Sequence, residues 1–147
     1  MSDINYCWSD LKNDLLSIVS QINTTEWMPD VIVGIKRGGL VPAVSISHYM
    51  NRPLYVVSCQ LRDGENSVDL LDSIKIQKDK RILVVDDICD SGDTFEKVLD
   101  TMKKFGQNDI KTCCIFQNIR QNFIADFKAK KIDREIDRRW IVFPWER

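Results

Sequence analysis

Apolar positions recur along this chain with two patterns, one typical of amphipathic helices and one typical of buried strands. Between Trp8 and Ile22 they recur at helical spacing, which predicts a first helix with a cap at Ser9 and an end near Asn23. Short continuous apolar runs predict strands instead. The predicted strands cover residues 31–35, 54–59, 82–85 and 111–116, and two further predicted helices cover residues 40–50 and 95–105.

This order of elements predicts an α/β fold, with a parallel twisted sheet flanked by helices. At 147 residues, the chain is expected to form a single domain, residues 1–147, with a sizeable core. Residues 60–80 lack a firm pattern, and their polar first part, residues 60–67, is a candidate lid that contains Arg62. Ligands of such sheets bind at the carboxyl ends of the strands. The loops after residues 35 and 85 are therefore expected at one edge of the sheet.

The most informative pattern follows the third predicted strand. Two adjacent acids, Asp86 and Asp87, stand where this strand is expected to reach the surface, and a polar turn then leads into a helix. Hydroxyls, a glycine and the unpaired N–H groups of a helix start together form an anion site. The residues of this turn are Asp90, Ser91, Gly92, Asp93 and Thr94. Adjacent carboxylates suit ribose hydroxyls or a hydrated divalent cation, so we predict a ribose 5-phosphate ligand with magnesium nearby.

Residues 84–94, Val-Val-Asp-Asp-Ile-Cys-Asp-Ser-Gly-Asp-Thr, resemble the phosphoribosyl-diphosphate signature of the type I phosphoribosyltransferases. This resemblance implies an enzyme that moves a 5-phosphoribosyl group from phosphoribosyl diphosphate (PRPP) to a nitrogenous base, with Mg²⁺ as cofactor and diphosphate as product. It also implies that Asp86 and Asp87 bind the ribose and magnesium, and that residues 90–94 bind the 5′-phosphate. Asp90 would take the proton that leaves the base.

A second loop repeats the logic of an anion site and adds two cations. Lys36 and Arg37 supply positive charge, while Gly38 and Gly39 leave their backbone N–H groups accessible. The loop is similar to the family's pyrophosphate loop, which implies that these four residues bind the diphosphate of PRPP.

The C-terminal residues 140–146, Trp-Ile-Val-Phe-Pro-Trp-Glu, are similar to the base-binding segment of the short 6-oxopurine phosphoribosyltransferases, particularly the xanthine–guanine type. The resemblance implies a small hood in which Trp140 stacks on the purine, Ile141 contacts it through its backbone and Glu146 reads its edge. That subgroup usually has Asp where this chain has Glu146. We expect Trp145 to fill the edge of the core instead.

One departure from this subgroup concerns the base. A Lys that follows the fourth strand in 6-oxopurine enzymes is absent here, and the best match is Asn118, with Arg120 as an alternative donor. The predicted function is purine salvage, with guanine, hypoxanthine or xanthine as the base. Two alternatives remain open: a phosphoribosyltransferase for adenine or a pyrimidine, and a regulatory protein that binds PRPP without catalysis.

Composition excludes several other classes. The net charge of −1 gives no sign of a nucleic-acid surface, and no apolar stretch is long enough to insert into a membrane. The five cysteines contain no C-x-x-C pair, which favours reduced thiols in a cytoplasmic protein. Relatives usually associate, so a homo-oligomer is expected from the resemblance.

Overall fold

The computed structural model describes residues 2–62 and 65–147. Its main element is a six-stranded sheet with a second, two-stranded sheet beside it. The strands are β1 (Ile4–Asn5), β2 (Val31–Lys36), β3 (Leu54–Arg62), β4 (Glu65–Asp69), β5 (Ile82–Cys89), β6 (Ile110–Asn118), β7 (Phe127–Ile132) and β8 (Ile141–Val142). The large sheet has the order β4-β3-β2-β5-β6-β7, and only β4 runs antiparallel to its neighbour among the described strands.

Helices cover both faces of this sheet. They are α1 (Trp8–Asn23), α2 (Leu40–Met50) and α3 (Asp93–Lys104), with short 3-10 helices at Leu71–Lys75 and Pro144–Glu146. Alternate residues of β5 face opposite ways: Leu83 and Val85 join the core under α1 and α2, whereas Ile82 and Val84 join the core under α3. The predicted α/β fold with a parallel, helix-flanked sheet is confirmed.

Several predicted boundaries were wrong. Strand β6 spans Ile110–Asn118 rather than residues 111–116, and α3 spans Asp93–Lys104 rather than residues 95–105. Helix α1 begins directly after Cys7, whose backbone N–H donates to Asp10 Oδ2 at 2.9 Å, so Ser9 lies inside the first turn and does not cap the helix. Strand β5 continues beyond Val85 to Cys89, because its pairing with β6 continues through the register pair Cys89↔Gln117.

The segment after residue 60 is more regular than its sequence indicated. Strand β3 extends to Arg62 and pairs with β4 in an antiparallel hairpin, in which Gln60 lies opposite Ser67. The candidate lid, residues 60–67, coincides with the end of this hairpin, and its residues 63 and 64 lie outside the described residues. The side chain of Arg62 is likewise outside the description, so its predicted contact with diphosphate stays a prediction.

The C-terminal segment forms a small sheet together with the N-terminus. Strand β8 pairs in parallel with β1, and hydrogen bonds from Ile4 N to Trp140 O (2.8 Å) and from Tyr6 N to Val142 O (3.0 Å) continue the ladder at both ends. Pairing with the N-terminal strand β1 therefore holds the C-terminal segment in place. Within the described residues, no helix combines the length and the apolar character that crossing a membrane requires.

Candidate active site

The cationic loop after β2, the acids near the end of β5 and the C-terminal segment meet at the carboxyl edge of the sheet. A cleft of about 720 Å³ opens between them. It is lined by Arg37, Gly38, Leu40, Val41, Asp87, Trp145 and Glu146. The structure thus brings together the cationic loop after β2, one of the paired acids in β5 and the acid near the C-terminus. Arg37 and Glu146 are more than a hundred positions apart in the sequence.

The loop after β2 is pressed against the paired acids. A Cβ atom on Gly38 would lie 2.2 Å from Asp87 Oδ2, and one on Gly39 would lie 2.4 Å from Val85 O. Any side chain at either position would therefore push the loop away from β5. The loop is closed by a hydrogen bond from Gly39 N to Ile35 O at 2.9 Å, and Arg37 stays exposed at its tip. Glycine is required here for close packing of this loop against β5. The predicted accessibility of both glycine N–H groups was wrong for Gly39, because Gly39 is buried and its N–H donates to Ile35 O.

The paired acids, Asp86 and Asp87, are half-buried, and each carboxylate accepts from the backbone N–H of the next residue. Asp86 Oδ1 accepts from Asp87 N at 2.9 Å, and Asp87 Oδ1 accepts from Ile88 N at 2.7 Å. Among the described residues, neither carboxylate takes part in a salt bridge. Their side chains are therefore not committed to internal ion pairs and can accept from a ligand.

Burial sets the charge state of this pair. Loss of water around Asp86 raises the pKa of its carboxyl well above the usual range, and the negative charge of Asp87 raises it further. Burial also raises the pKa of Asp87, against the effect of the hydrogen bonds that it accepts. A ligand that brings hydroxyl donors or a cation would relieve this repulsion.

The raised pKa of Asp86 predicts that Asp86→Asn stabilises the protein without ligand. The amide keeps an oxygen for Asp87 N but carries no charge, and we expect a gain of about 0.5–2 kcal/mol, with roughly 2–4 °C in melting temperature for each kcal/mol. The native state holds the Asp86 proton at pH values where the unfolded chain has lost it, so the contribution of Asp86 to wild-type stability falls as pH rises above about 4. Thermal melts of both proteins from pH 4 to pH 8 check this: the advantage of Asp86→Asn should grow with pH, and an advantage that is constant or reversed would contradict it.

The turn after β5, residues 90–94, for which phosphate binding was predicted, leads directly into α3. Gly92 has a φ of +88°, which favours glycine, and it directly precedes α3. Ser91 Oγ accepts from Asp93 N at 3.2 Å, which stiffens the turn. A small cavity of about 90 Å³ lies here, lined by Ile88, Cys89, Asp90, Ser91, Gly92, Thr94 and Phe95. Since the first N–H groups of a helix have no helical acceptor, α3 directs its positive end to this place.

Asp90 is joined to the end of the neighbouring strand. Asn118 Nδ2 donates to Asp90 Oδ1 at 2.9 Å, while Asn118 Oδ1 accepts from Arg120 N at 3.1 Å and from Arg134 N at 3.4 Å. Asn118 is only 2% exposed. Both atoms of its amide are therefore already engaged within the protein, and the NH₂ group that was predicted to reach a base contacts Asp90 instead.

The alternative donor, Arg120, is held elsewhere. Its Nη2 lies 2.6 Å from Asp133 Oδ2, and its Nε lies 3.7 Å from Glu135 Oε2. These carboxylates keep the guanidinium at the exposed end of β7, so Arg120 would have to leave an ion pair to contact a base.

The C-terminal segment divides into exposed and buried groups. Trp140 is 68% exposed, whereas the next residue, Ile141, is buried. Glu146 is exposed, and its Oε2 accepts from Phe143 N at 3.2 Å. Trp145 stacks on Phe143 with ring centroids 4.7 Å apart and packs against the core, which confirms the expectation that it fills the core edge. Its ring also lines the cleft.

Sequence reasoning missed the loop around Phe123, which packs behind residues 90–94, the predicted phosphate turn. Phe123 stacks on Phe95 with centroids 5.5 Å apart, and a Cβ atom on Gly92 would lie 2.3 Å from Phe123 Cβ. The buried Gln117 holds this loop, since its Nε2 donates to Phe123 O at 3.1 Å and its Oε1 accepts from Ala125 N at 2.8 Å. Polar Gln117 at the end of an apolar strand was the one signal in the sequence that could have indicated this anchor.

Comparisons with known proteins agree with this geometry. Residues 8–146 match the family described as the phosphoribosyl transferase domain. The xanthine-guanine phosphoribosyltransferase of Idiomarina loihiensis is 27% identical over 122 residues, which cover 78% of this chain and 70% of that protein. The hypoxanthine-guanine phosphoribosyltransferase of Aquifex aeolicus is 25% identical over 90% of this chain and 79% of that protein. The crystal structure of a purine phosphoribosyltransferase from Pyrococcus horikoshii Ot3 has a TM-score of 0.84 and 32% identity, and covers 100% of this chain and 96% of that one.

Proposed function

Because this chain belongs to the phosphoribosyltransferase family, whose members are enzymes of the glycosyltransferase type, we propose that it transfers the 5-phosphoribosyl group of PRPP to a 6-oxopurine base. Guanine, hypoxanthine or xanthine would be the acceptor, diphosphate the second product, and purine salvage the task. The observation that carries the proposal is the cleft in which Arg37, Asp87 and Glu146 converge from three separate parts of the sequence.

The substrate PRPP would bind across this edge of the sheet. Its 5′-phosphate would lie in the turn formed by Asp90, Ser91, Gly92, Asp93 and Thr94, where the start of α3 supplies N–H groups. Its diphosphate would contact the loop formed by Lys36, Arg37, Gly38 and Gly39. Between the two loops, Asp86 and Asp87 would accept hydrogen bonds from the ribose hydroxyls.

The paired acids also fit a magnesium ion that is held mainly by substrate and water. The described residues contain no cluster of three or more His, Cys, Asp or Glu side chains that could hold a metal by themselves. Magnesium in proteins typically takes one or two carboxylates together with substrate phosphates and waters, and Asp86 with Asp87 supplies two carboxylates. When bound, magnesium would neutralise negative charge on the departing diphosphate.

The residues of this chain would then share the chemical work. Departure of diphosphate leaves positive charge on the ribose ring, as in other reactions at a glycosidic carbon. Arg37 would stabilise the leaving diphosphate, and Asp90 would accept the proton from N9 of the purine as the new bond forms. Asp90 is exposed on the turn and so is accessible to a substrate.

The base would lie against the C-terminal segment. Trp140 offers an exposed indole for stacking, the backbone of Ile141 lies next to it in β8, and Glu146 is exposed at the cleft. Asn118 stays a predicted base contact, but its NH₂ group would have to leave Asp90 Oδ1 to reach a purine O6.

A substitution of Trp140 tests this placement. Because the ring is 68% exposed, Trp140→Leu should cost little stability, but loss of a stacked base should raise the KM for the base by about 10-fold, or roughly 1.4 kcal/mol. Steady-state kinetics with the base varied at saturating PRPP would measure it. Tyr49→Leu is the matched control, since Tyr49 is also an exposed aromatic (50%) and is not among the residues that line the cleft, and an equal effect of both substitutions would contradict the stacking role.

The proposed reaction is tested by incubating the protein with PRPP, magnesium and one base at a time, with release of diphosphate as the readout. Release with guanine, hypoxanthine or xanthine supports the proposal. Release only with adenine or a pyrimidine would overturn the base assignment, and binding of PRPP without release for any base would favour a regulatory protein. Omission of magnesium should abolish the release.

A further inference from the structure

We propose that Asn118 is a positioning residue that orients Asp90 for proton transfer. The inference rests on the proposed function and assigns to Asn118 a role other than contact with the base. The inference is based on the 2.9 Å hydrogen bond from Asn118 Nδ2 to Asp90 Oδ1.

The contact follows from the register of two neighbouring strands. Strands β5 and β6 are parallel, and Cys89, the last residue of β5, is paired with Gln117. The residues that follow these two, Asp90 in the turn and Asn118 at the end of β6, therefore lie side by side. Asn118 also belongs to the ladder with β7, in register with Ile132. Asn118 is thus fixed by the sheet, whereas Asp90 belongs to a turn.

The orientation of the Asn118 amide is determined by its other contacts. Its Oδ1 accepts two backbone N–H groups, from Arg120 and Arg134, and a nitrogen in that place could not accept them. The NH₂ group must therefore face Asp90. Gln117 strengthens the arrangement, because its Nε2 donates to the carbonyl oxygen of Asn118 at 2.9 Å.

This geometry assigns different tasks to the two oxygens of Asp90. Oδ1 is held by a buried donor, and no hydrogen bond to Oδ2 is found within residues 2–62 and 65–147. A carboxylate on an exposed turn would otherwise rotate, and positioning of a reacting group within small tolerances contributes much of the rate of an enzyme. Oδ2 is the oxygen that we assign to the proton of the purine.

The substitution Asn118→Asp separates this role from a structural one. Aspartate keeps an oxygen for the N–H groups of Arg120 and Arg134, but it has no NH₂ to donate and it places a second carboxylate next to Asp90. We expect kcat to fall about 10–100-fold, as is usual when a partner that orients a functional ligand is lost, with the KM for PRPP within about threefold of the wild type. Asn108→Asp is the matched control, since Asn108 is exposed and donates only to Gly106 O, and it should keep wild-type kinetics.

A double-mutant cycle with Asp90→Asn completes the test. If Asn118 acts through Asp90, Asn118→Asp should lower kcat in the wild type but not further in Asp90→Asn. The double variant also restores an amide–carboxylate pair with its members exchanged, so it should recover melting temperature relative to Asn118→Asp without recovering turnover. Turnover cannot recover in the double variant, because Asp90→Asn has removed the proton acceptor. The recovered melting temperature therefore shows that the pair forms, and the comparison of kcat with and without Asn118→Asp in the Asp90→Asn background carries the test.

The outcomes separate this inference from the proposed function. No diphosphate release by the wild type with any base would overturn the proposed function, and this inference with it. Turnover by the wild type together with unchanged kcat in Asn118→Asp would overturn the inference alone. A rise in the KM for PRPP that matches the fall in kcat would also overturn it, because it would assign Asn118 to support of the phosphate turn.

Discussion

Asp90→Asn is expected to lower kcat by about 10²–10⁴-fold, the range that a positioned general base contributes, with little change in the affinity for PRPP. Asparagine has nearly the shape of aspartate, and the backbone of the phosphate turn does not depend on the charge of this side chain. The amide can accept the hydrogen bond of Asn118 but cannot take a proton from the purine. Initial rates at saturating PRPP and base, with titration calorimetry of PRPP binding, would measure the two quantities separately.

The same type of substitution on α3, away from the turn, controls for this result. Asp100→Asn changes an exposed acid two turns into the helix, and it should leave both kcat and PRPP affinity near the wild type. Equal losses of turnover and PRPP affinity in Asp90→Asn would contradict the role of proton acceptor and indicate that Asp90 acts in binding.

Gly92→Ala is expected to have the largest effect on PRPP binding. Its φ of +88° costs an alanine about 1–2 kcal/mol, and the new methyl group would overlap Phe123 Cβ, which adds roughly 1–3 kcal/mol of overpacking. Movement of Gly92 shifts the N–H groups at the start of α3 away from the phosphate. We expect the free energy of unfolding to fall by roughly 2–5 kcal/mol and the KM for PRPP to rise about 10-fold or more, at 1.4 kcal/mol per factor of ten.

Gly106→Ala provides a matched control for the cost of placing alanine at a positive φ. Gly106 also has a positive φ, +83°, but its new methyl group would meet only the flexible side chain of Lys78, and it lies beyond the other end of α3. Urea unfolding and PRPP kinetics of both variants would separate the contributions. If Gly92→Ala lost stability but kept the wild-type KM for PRPP, the phosphate would have to bind away from this turn.

The central part of the fold was readable from the sequence because its signals are local. Residues 31–35 of β2 and residues 82–85 of β5 are continuous apolar runs, and the glycines and acids that follow these runs indicate a loop within a few residues. The rule that parallel strands end at one edge then places both loops together. The contact of Gly38 with Asp87 shows that the loops do meet there.

The outer elements were not readable for the opposite reason. Strand β7 reads Phe-Lys-Ala-Lys-Lys-Ile and lies at the sheet edge, where lysines are common and the apolar pattern is weak. Strand β1 has only two residues and exists because β8 pairs with it from the far end of the chain. The hairpin strand β4 is largely exposed, so it carries no periodic apolar signal.

In the candidate site, too, the local features could be predicted from the sequence and the contacts between distant segments could not. The composition of the phosphate turn and of the cationic loop could be taken directly from the sequence, since each lies on one continuous segment. The partner of Asp90 could not, because the contact of Asp90 with Asn118 depends on the register between β5 and β6. A shift of one residue in that register would have placed Gln117 or Ile119 there instead. Self-association, expected from the resemblance, stays a prediction that sedimentation would test.

The most direct test is nuclear magnetic resonance of the ¹⁵N-labelled protein during titration with PRPP and magnesium. The backbone amide signals of Ser91, Gly92 and Thr94 should shift with saturation, ribose 5-phosphate alone should shift the same three signals, and the amides of Gly38 and Gly39 should respond to PRPP and to diphosphate but not to ribose 5-phosphate. If the signals of the turn after β5 stayed in place while amides elsewhere moved, the sugar phosphate would bind at another site and the assignment of this edge of the sheet would be wrong.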